Sequence, residues 1–270
     1  MRKLLCITVS LVLLLLSAVP VYADESGWRS ERVYDEDEDI ESVAWYYYDN
    51  GVSVRGWRSV KNKWYYFDED FAYMYSDTYA IIDGKTYCFD KNGVMKSSCW
   101  YLVDNGGESC WFYLSSNGSA VKGWKKISGK WYYFEANSGV MQTGWLYDEA
   151  KDCYYYLDES GAMLTGWRKL SLFDEEGWHY FGTDGAERYG WQKINGVWYY
   201  FDDDGVMQTG WRRVNGAWYY LNSDGKMQTG WLRLNDKWYY LEGSGKMRTA
   251  DFTYKGKVYK FNKSGVCINP

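Results

Sequence analysis

The sequence repeats every 20 residues over its C-terminal part, and this period constrains the fold more than any other feature. Trp191, Trp211 and Trp231 lie 20 residues apart, and a second Trp and a Met keep the same spacing, beginning at Trp198 and Met207. Each unit reads Gly-Trp, a short polar stretch, Trp-Tyr-Tyr-Phe/Leu, a turn containing Gly, and then x-Met-x-Thr. Such a chain stacks like units side by side instead of folding around one core.

Less regular copies extend the array over residues 27–267, and every one of the 17 Trp occupies one of the two Trp positions. Because nothing substantial lies outside the array, we expect no separate catalytic domain. The last copy has lost both Trp and Met, and we interpret it as a cap. The copies span residues 27–54, 56–75, 78–97, 99–121, 123–143, 144–165, 166–189, 190–209, 210–229, 230–249 and 251–267.

Residues 123–134 show what one unit is expected to form. Two aromatic and β-branched runs flank a Ser-Gly turn, which is typical of a β-hairpin. This turn places Lys126 opposite Trp131, and Trp124 opposite Tyr133. Side chains alternate across a strand, so both Trp and the second Tyr share one face, while the first Tyr and the Phe share the other. A lone hairpin is marginal in water, so we predict an all-β solenoid of stacked β-hairpins.

The first 23 residues are typical of a secretory signal peptide. Arg2 and Lys3 precede an apolar run over residues 4–16, and small residues flank Tyr22 at the predicted cleavage site. The run is short for an uncleaved membrane anchor, and we expect no membrane span after cleavage. The predicted organisation is a signal peptide at 1–23, irregular repeats at 24–122, and regular repeats with a terminal cap at 123–270.

Composition argues against several classes of protein. The net charge of −5 disfavours nucleic acid as a partner, because phosphate binding needs clustered Lys and Arg. The cysteines show no metal-ligand spacing, and Cys99 and Cys110 are either linked or fill strand positions as small residues. The acidic run at 35–39 is interpreted as a solvated loop in preference to a calcium site. His179, the single histidine, is interpreted as a packing or surface variant without a catalytic role, and we expect no metal and no cofactor.

The aromatic side chains point to a binding role. Aromatics make up 21% of the chain, and three ring faces around a hollow attract a cation, quaternary ammonium groups above all. A Met beside them fills space without competing for hydrogen bonds. Two alternatives stay open: the rings serve only as core, or they stack on sugars. A core alone would be built more simply from Leu, Ile and Val.

The unit GWRRVNGAWYYLNSDGKMQT at 210–229 resembles the choline-binding, or cell-wall-binding, repeat of Gram-positive surface proteins. The resemblance covers essentially the whole chain after the signal peptide. It implies a hairpin solenoid that binds phosphocholine on teichoic acids, with each site built from two Trp of one unit, a Tyr of the next and a nearby Met. Carried onto this sequence, the implied choline-binding residues are Trp124, Trp131 and Tyr156; Trp191, Trp198 and Tyr220; Trp211, Trp218 and Tyr240; Trp231 and Trp238; and Met141, Met207 and Met227.

Some units depart from this pattern. Unit 78–97 lacks both Trp, which puts a site there in doubt, and unit 144–165 has Tyr154 at the second Trp position. Glu187 stands where Met is expected; its carboxylate either strengthens cation binding or is a solvated substitution, and we favour the latter. Similar repeats in glucan-binding enzymes and large clostridial toxins bind glucans or cell-surface sugars, with Tyr in place of the second Trp.

The sequence therefore predicts a non-catalytic, secreted surface protein that binds choline residues of cell-wall teichoic acids through aromatic cages. Its many weak sites would act together by effective concentration. The alternative is a carbohydrate-binding adhesin with the same fold, whose partners would be glucan or host surface sugars.

Overall fold

The computed structural model describes residues 26–35, 40–105, 107–172 and 175–270, and among these it contains strands and turns but no helix. Consequently, no helix in this part of the chain has the length and apolarity that crossing a membrane requires. The predicted signal peptide at 1–23 and most of the acidic run, residues 36–39, lie outside the described residues. The chain forms two compact units, one ending at Gln142 and the other beginning at Thr143.

The first unit consists of five antiparallel hairpins, the first of which carries a short third strand, β3. Its strands are β1 (Gly27–Asp35), β2 (Ile40–Asp49), β3 (Val52–Ser53), β4 (Gly56–Val60), β5 (Lys63–Phe67), β6 (Thr78–Ile82), β7 (Lys85–Phe89), β8 (Trp100–Asn105), β9 (Glu108–Tyr113), β10 (Gly123–Ile127) and β11 (Lys130–Phe134).

The second unit adds six more two-stranded hairpins. Its strands are β12 (Gly144–Asp148), β13 (Cys153–Leu157), β14 (Gly166–Leu172), β15 (Glu175–Phe181), β16 (Gly190–Ile194), β17 (Val197–Phe201), β18 (Gly210–Val214), β19 (Ala217–Leu221), β20 (Gly230–Leu234), β21 (Lys237–Leu241), β22 (Phe252–Tyr254) and β23 (Lys257–Tyr259).

The predicted hairpin register is confirmed. In β10–β11, Trp124 lies opposite Tyr133 and Lys126 lies opposite Trp131. The same alignment recurs in β16–β17, where the two turn residues are Asn195 and Gly196 with φ of 49° and 84°. Positive φ at both positions is the type I′ turn, whose twist matches that of the flanking strands. The turn chemistry therefore fixes which residues share a face.

Within each compact unit, a backbone hydrogen bond joins every hairpin after the first to the one before it. After β17 the chain turns back at Gly205, and the N–H of Met207 donates to the carbonyl of Trp178, at 2.8 Å. One unit later the N–H of Met227 donates to the carbonyl of Trp198, at 2.9 Å. Within each unit, successive hairpins are thus stacked through their linkers, which confirms the all-β hairpin solenoid.

The core runs along the stack as a row of small clusters. The Phe or Leu that ends the second strand of a hairpin is fully buried, as Phe201, Leu221 and Leu241 are. Burial of each of these side chains stabilises the folded state by about 2–3 kcal/mol. The core is therefore distributed, and the aromatic residues beside it remain accessible for other contacts.

The cysteines do not form the disulfide that the sequence left open. The thiol of Cys99 is free, so it is not linked to Cys110. Cys88, Cys99 and Cys110 pack into one apolar cluster with Phe112. Burial raises the pKa of the Cys88 thiol to about 12, with smaller contributions from Cys99 and Cys110. These positions serve as small apolar fillers, which was the second interpretation offered by the sequence.

Candidate functional site

Two Trp and two Tyr meet at the junction between β16–β17 and β18–β19. The rings of Trp191 and Trp198 are almost perpendicular, at 87°, with centroids 6.4 Å apart. Tyr200 of the same hairpin lies 5.1 Å from Trp191, and Tyr219 of the following hairpin lies 4.8 Å from it. The backbone of Met227 is fixed at Trp198 by the linker hydrogen bond. We call this arrangement the Trp191 site.

The next junction repeats this geometry. Trp211 and Trp218 stand 6.4 Å apart at 87°, and Tyr239 of the following hairpin lies 5.0 Å from Trp211. Open space borders these rings: one hollow of about 360 Å³ touches Trp211 and Tyr239, and another of about 340 Å³ touches Trp218.

The last Trp pair is closed by the degenerate final hairpin. Trp231 and Trp238 are 6.2 Å apart at 86°. Tyr259 and Phe261 of the final hairpin lie 4.6 Å and 6.2 Å from Trp231, and the N–H of Cys267 donates to the carbonyl of Trp238. A unit without Trp therefore still completes the site of the unit before it.

Four further junctions have the same composition, although of their residues only Met141 and Met207 were among the predicted site residues. In each, the first Trp lies 4.7–5.0 Å from the first Tyr of the next hairpin, and a Met N–H binds the carbonyl of the second Trp. They were missed because their turns or flanking residues are irregular, although both Trp were recognised. The four sets are Trp28, Trp45, Tyr65 and Met74; Trp57, Trp64, Tyr87 and Met95; Trp100, Trp111, Tyr132 and Met141; and Trp167, Trp178, Tyr199 and Met207.

The Tyr that a Trp pair receives from the next hairpin is not the one that the resemblance implied. The ring on Trp191 is Tyr219, whereas Tyr220 lies 5.2 Å from Trp211 of its own hairpin. Tyr240 likewise lies 5.1 Å from Trp231. Strand alternation is the reason: the first Tyr of Trp-Tyr-Tyr points to the preceding hairpin, and the second shares a face with its own two Trp.

Met and the remaining predicted residues also take defined places. The backbone N–H of Met141 donates to the carbonyl of Trp111, at 2.8 Å, so this Met belongs to the Trp100 set. Trp124 contacts Tyr133 of its own hairpin at 5.2 Å, and Tyr156 contacts Trp145 at 5.2 Å. A site that joins Trp124 and Trp131 to the next hairpin stays a prediction. The two Trp belong to the first compact unit and the next hairpin belongs to the second.

One wall of the Trp191 site is open to solvent and the other is not. Trp198 is 40% exposed, whereas Tyr219 is only 9% exposed. A small ligand could therefore reach the ring faces from the Trp198 side. In the first unit, burial raises the pKa of the corresponding Tyr65, with a smaller contribution from Asp90, so this phenol stays neutral.

In the regular hairpins, a basic side chain lies on the paired strand, directly opposite the second Trp. Lys193 is paired with Trp198, Arg213 with Trp218. The ammonium of Lys193 is 6.0 Å from the centroid of the Trp198 ring. These exposed cations provide positive charge at the rim of the ring sites, beside the second Trp.

The junction between β12–β13 and β14–β15 keeps the geometry but changes the chemistry; we call it the Trp145 site. Trp145 is retained, but Tyr154 occupies the second Trp position. His179 replaces the Tyr, 5.2 Å from Trp145, and Glu187 replaces the Met, with its N–H on the carbonyl of Tyr154. The expectation that Glu187 is solvated was wrong: it is 5% exposed, and its Oε1 lies 2.6 Å from His179 Nδ1.

One junction between hairpins of the first compact unit lacks both Trp, and other side chains fill the space. Unit 78–97 has Tyr79 and Thr86 at the Trp positions, and the next hairpin contributes Phe112 and Ala120. Tyr79 lies 4.9 Å from Phe112, and Thr86 is fully buried. No open wall comparable to Trp198 remains among these described residues, in keeping with the doubt that the sequence raised about this unit.

Stacked hairpins with aromatic sites at their junctions define a class of repeat-built binding proteins. The family profile described as "Choline-binding repeat" matches residues 54–100, 105–144, 121–167, 188–213 and 208–252, which is more than half of the sequence. The chain belongs to the choline-binding repeat family.

Solved structures and a curated protein are also similar to this chain. CbpJ from Streptococcus pneumoniae is 29% identical with a TM-score of 0.68, covering 89% of this chain and 94% of that one. Choline binding protein F from the same species is 28% identical with a TM-score of 0.65, covering 90% and 94%. Glucosyltransferase-S of Streptococcus mutans is 30% identical over 62% of this chain, which spans only 11% of that longer protein.

Proposed function

We propose that this is a non-catalytic, secreted surface protein that binds the choline residues of cell-wall teichoic acids. The observation that carries the proposal is the repeated junction of two perpendicular Trp and one Tyr, as at Trp191, Trp198 and Tyr219. Three ring faces attract a methylated cation with about 0.5–2 kcal/mol per cation–π contact. The backbone N–H of the Met of the following repeat bonds to the carbonyl of the second Trp, and a thioether near the cage would offer no competing hydrogen bond.

Several sites on one chain support a role in attachment to a polymer. Each cage alone would be weak, but once one is occupied the others meet a high local concentration of choline on the same polymer. Secretion by the segment at 1–23 would deliver the protein to this polymer, and its association with the wall would be non-covalent.

The basic residues beside the second Trp support phosphocholine as the form that is bound. Choline in a phosphodiester carries a negative phosphate close to its cation. Lys193 and Arg213 lie across the strand from Trp198 and Trp218, so their charges would meet that phosphate when the trimethylammonium group is in the cage. The net acidity of the chain does not oppose this, because the attraction is local.

Trp198→Ala tests the proposal directly. Trp198 is 40% exposed, so its removal leaves the buried residues of the hairpin in place but abolishes one cage. Calorimetry with free choline, at a temperature where the variant is folded, should then show one bound choline fewer than in the unchanged chain. Ile194→Val, a conservative change on the opposite face of the same hairpin, is the control and should keep the number of sites. An unaltered choline stoichiometry in Trp198→Ala would refute the cage assignment.

The similarity to Glucosyltransferase-S supports a second candidate, a glucan-binding protein with the same repeats. Aromatic rings also stack on the apolar faces of sugars. The two candidates separate in a thermal unfolding experiment with either choline or dextran added. We expect the midpoint to rise with choline and to stay unchanged with dextran; the reverse result would favour the glucan candidate.

A further inference from the structure

We propose that the Trp145 site binds an ammonium group that carries N–H donors, such as a primary amine, in preference to a fully methylated one. This rests on the proposed function in one respect: the ring sites of the array are taken to bind cations. The inference concerns how one member of the array differs in the cation that it accepts.

The Trp145 site keeps the first Trp and the second Tyr of its own hairpin, Tyr156, but differs from the Trp191 site at the other three positions. Tyr154 stands in place of Trp198, His179 in place of Tyr219, and Glu187 in place of Met227. Tyr154 and Glu187 bring hydrogen-bond acceptors where an indole and a thioether stand at the Trp191 site, and His179 brings an imidazole in place of a phenol. The changes belong to two different repeat units and converge only when the hairpins stack. Their convergence at one junction is what points to a changed ligand.

A hydrogen-bond chain links Tyr189, Glu187 and His179. The hydroxyl of Tyr189 donates to Glu187 Oε2 at 2.5 Å, and Oε1 lies 2.6 Å from His179 Nδ1. Burial, followed by the hydrogen bond to Glu187, raises the pKa of Tyr189, so the phenol keeps its proton and donates. With Glu187 ionised, Oε1 accepts as well as Oε2, and the Nδ1 proton then belongs to His179.

The other ring nitrogen of His179 is left without a partner. His179 is fully buried, and its Nε2 makes no hydrogen bond in the described structure. In a neutral imidazole protonated at Nδ1, Nε2 is an acceptor, and a buried acceptor without a donor is unfavourable. Arg168, directly across the strand from His179, donates to the carbonyl of Trp167 instead. A ligand that brings an N–H group would satisfy Nε2.

Charge selects a cationic donor over a neutral one. The carboxylate of Glu187 is buried behind the rings, where its attraction for a cation is screened less than at the surface. Trp145 and Tyr154 supply ring faces, and Tyr154 is 43% exposed, which leaves the site open on that side. A primary ammonium offers positive charge and three donors, whereas a trimethylammonium offers the charge alone and would leave Nε2 unpaired.

The single histidine of the chain makes this site observable without any mutation. Ethanolamine and choline differ only in the methylation of nitrogen, so they are matched probes. The full chain with ¹⁵N-labelled histidine would be titrated with each at one fixed pH. We expect the Nε2 resonance of His179 to respond to ethanolamine at about a tenth of the choline concentration needed for the same shift. An equal or stronger response to choline, or no response to either, would overturn the proposal.

A reversal variant supplies the second test. Tyr154→Trp, His179→Tyr and Glu187→Met together rebuild the composition of the Trp191 site and should add one choline to the stoichiometry measured by calorimetry. An unchanged number of bound cholines would contradict the inference that these residues set the preference. Failure of the proposed function is distinguishable, because choline would then also leave the tryptophan fluorescence of the unchanged chain unaltered.

Discussion

The Trp191 site and the Trp145 site are built on the same backbone. In the first, the N–H of Met227 donates to the carbonyl of Trp198 at 2.9 Å; in the second, the N–H of Glu187 donates to that of Tyr154 at the same distance. The hairpin registers also agree. The stack is therefore maintained by turns and main-chain bonds, which leaves the side chains at each junction free to differ in chemistry.

The largest effect is expected from Glu187→Met, which places the methionine of the regular repeats beside His179. Methionine fits at this position in the other units, since Met207 packs beneath Gly225 as Glu187 packs beneath Gly205. His179 and the hydroxyl of Tyr189 would each lose a buried acceptor, so we expect a loss of about 2–5 kcal/mol in the free energy of unfolding. Urea denaturation measures it.

The double variant His179→Tyr with Glu187→Met is the matched control for that loss. It removes the buried imidazole together with its acceptor, so most of the stability should return and the two changes should be strongly non-additive. If the double variant is as unstable as the sum of the single variants, the two junctions differ in packing rather than in the hydrogen-bonded pair.

The next effect concerns the second Trp alone. Tyr154→Trp gives the Trp145 site both indoles, but His179 and Glu187 remain. If the complete set determines the ligand, this variant should bind no more choline than the unchanged chain, as measured by calorimetry. Because Tyr154 is 43% exposed, its stability should change by less than about 1 kcal/mol. A gain of one choline would show that the second indole is sufficient and would remove the distinction between the sites.

Most of the fold could be predicted from the sequence, because its determinants are local. The turn at Asn195-Gly196, the strand alternation and the 20-residue period together specify the register that the structure has. The same alternation already placed the first Tyr of each unit on the face opposite its Trp, so Tyr219 could have been assigned to the Trp191 site from the sequence alone.

The chemistry of the Trp145 site could not be predicted in this way. Tyr154 and Glu187 were each recognised as departures from the pattern, but they belong to different units and were treated separately. Only the linker bond from Glu187 to the carbonyl of Tyr154 shows that they share one junction. The burial of Glu187 follows from its contact with His179, eight residues earlier, and neither residue has the polarity usual for a buried position.

The smallest effect is expected at the rim, where the two sites also differ. Lys193 lies across the strand from Trp198, whereas the corresponding residue at the Trp145 site is Tyr147, whose hydroxyl donates to Asp152. Lys193→Tyr copies that feature onto the Trp191 site. Loss of one exposed cation should weaken phosphocholine about two- to five-fold at this site, in line with 0.5–1 kcal/mol for an exposed ion pair. Free choline, which has no phosphate, should bind as before. Added salt should narrow the difference in phosphocholine affinity between the variant and the unchanged chain.

Titrations with both ligands test whether Lys193 recognises the phosphate. An equal loss of affinity for choline and phosphocholine would mean instead that Lys193 supports the ring of Trp198, which it approaches to 6.0 Å.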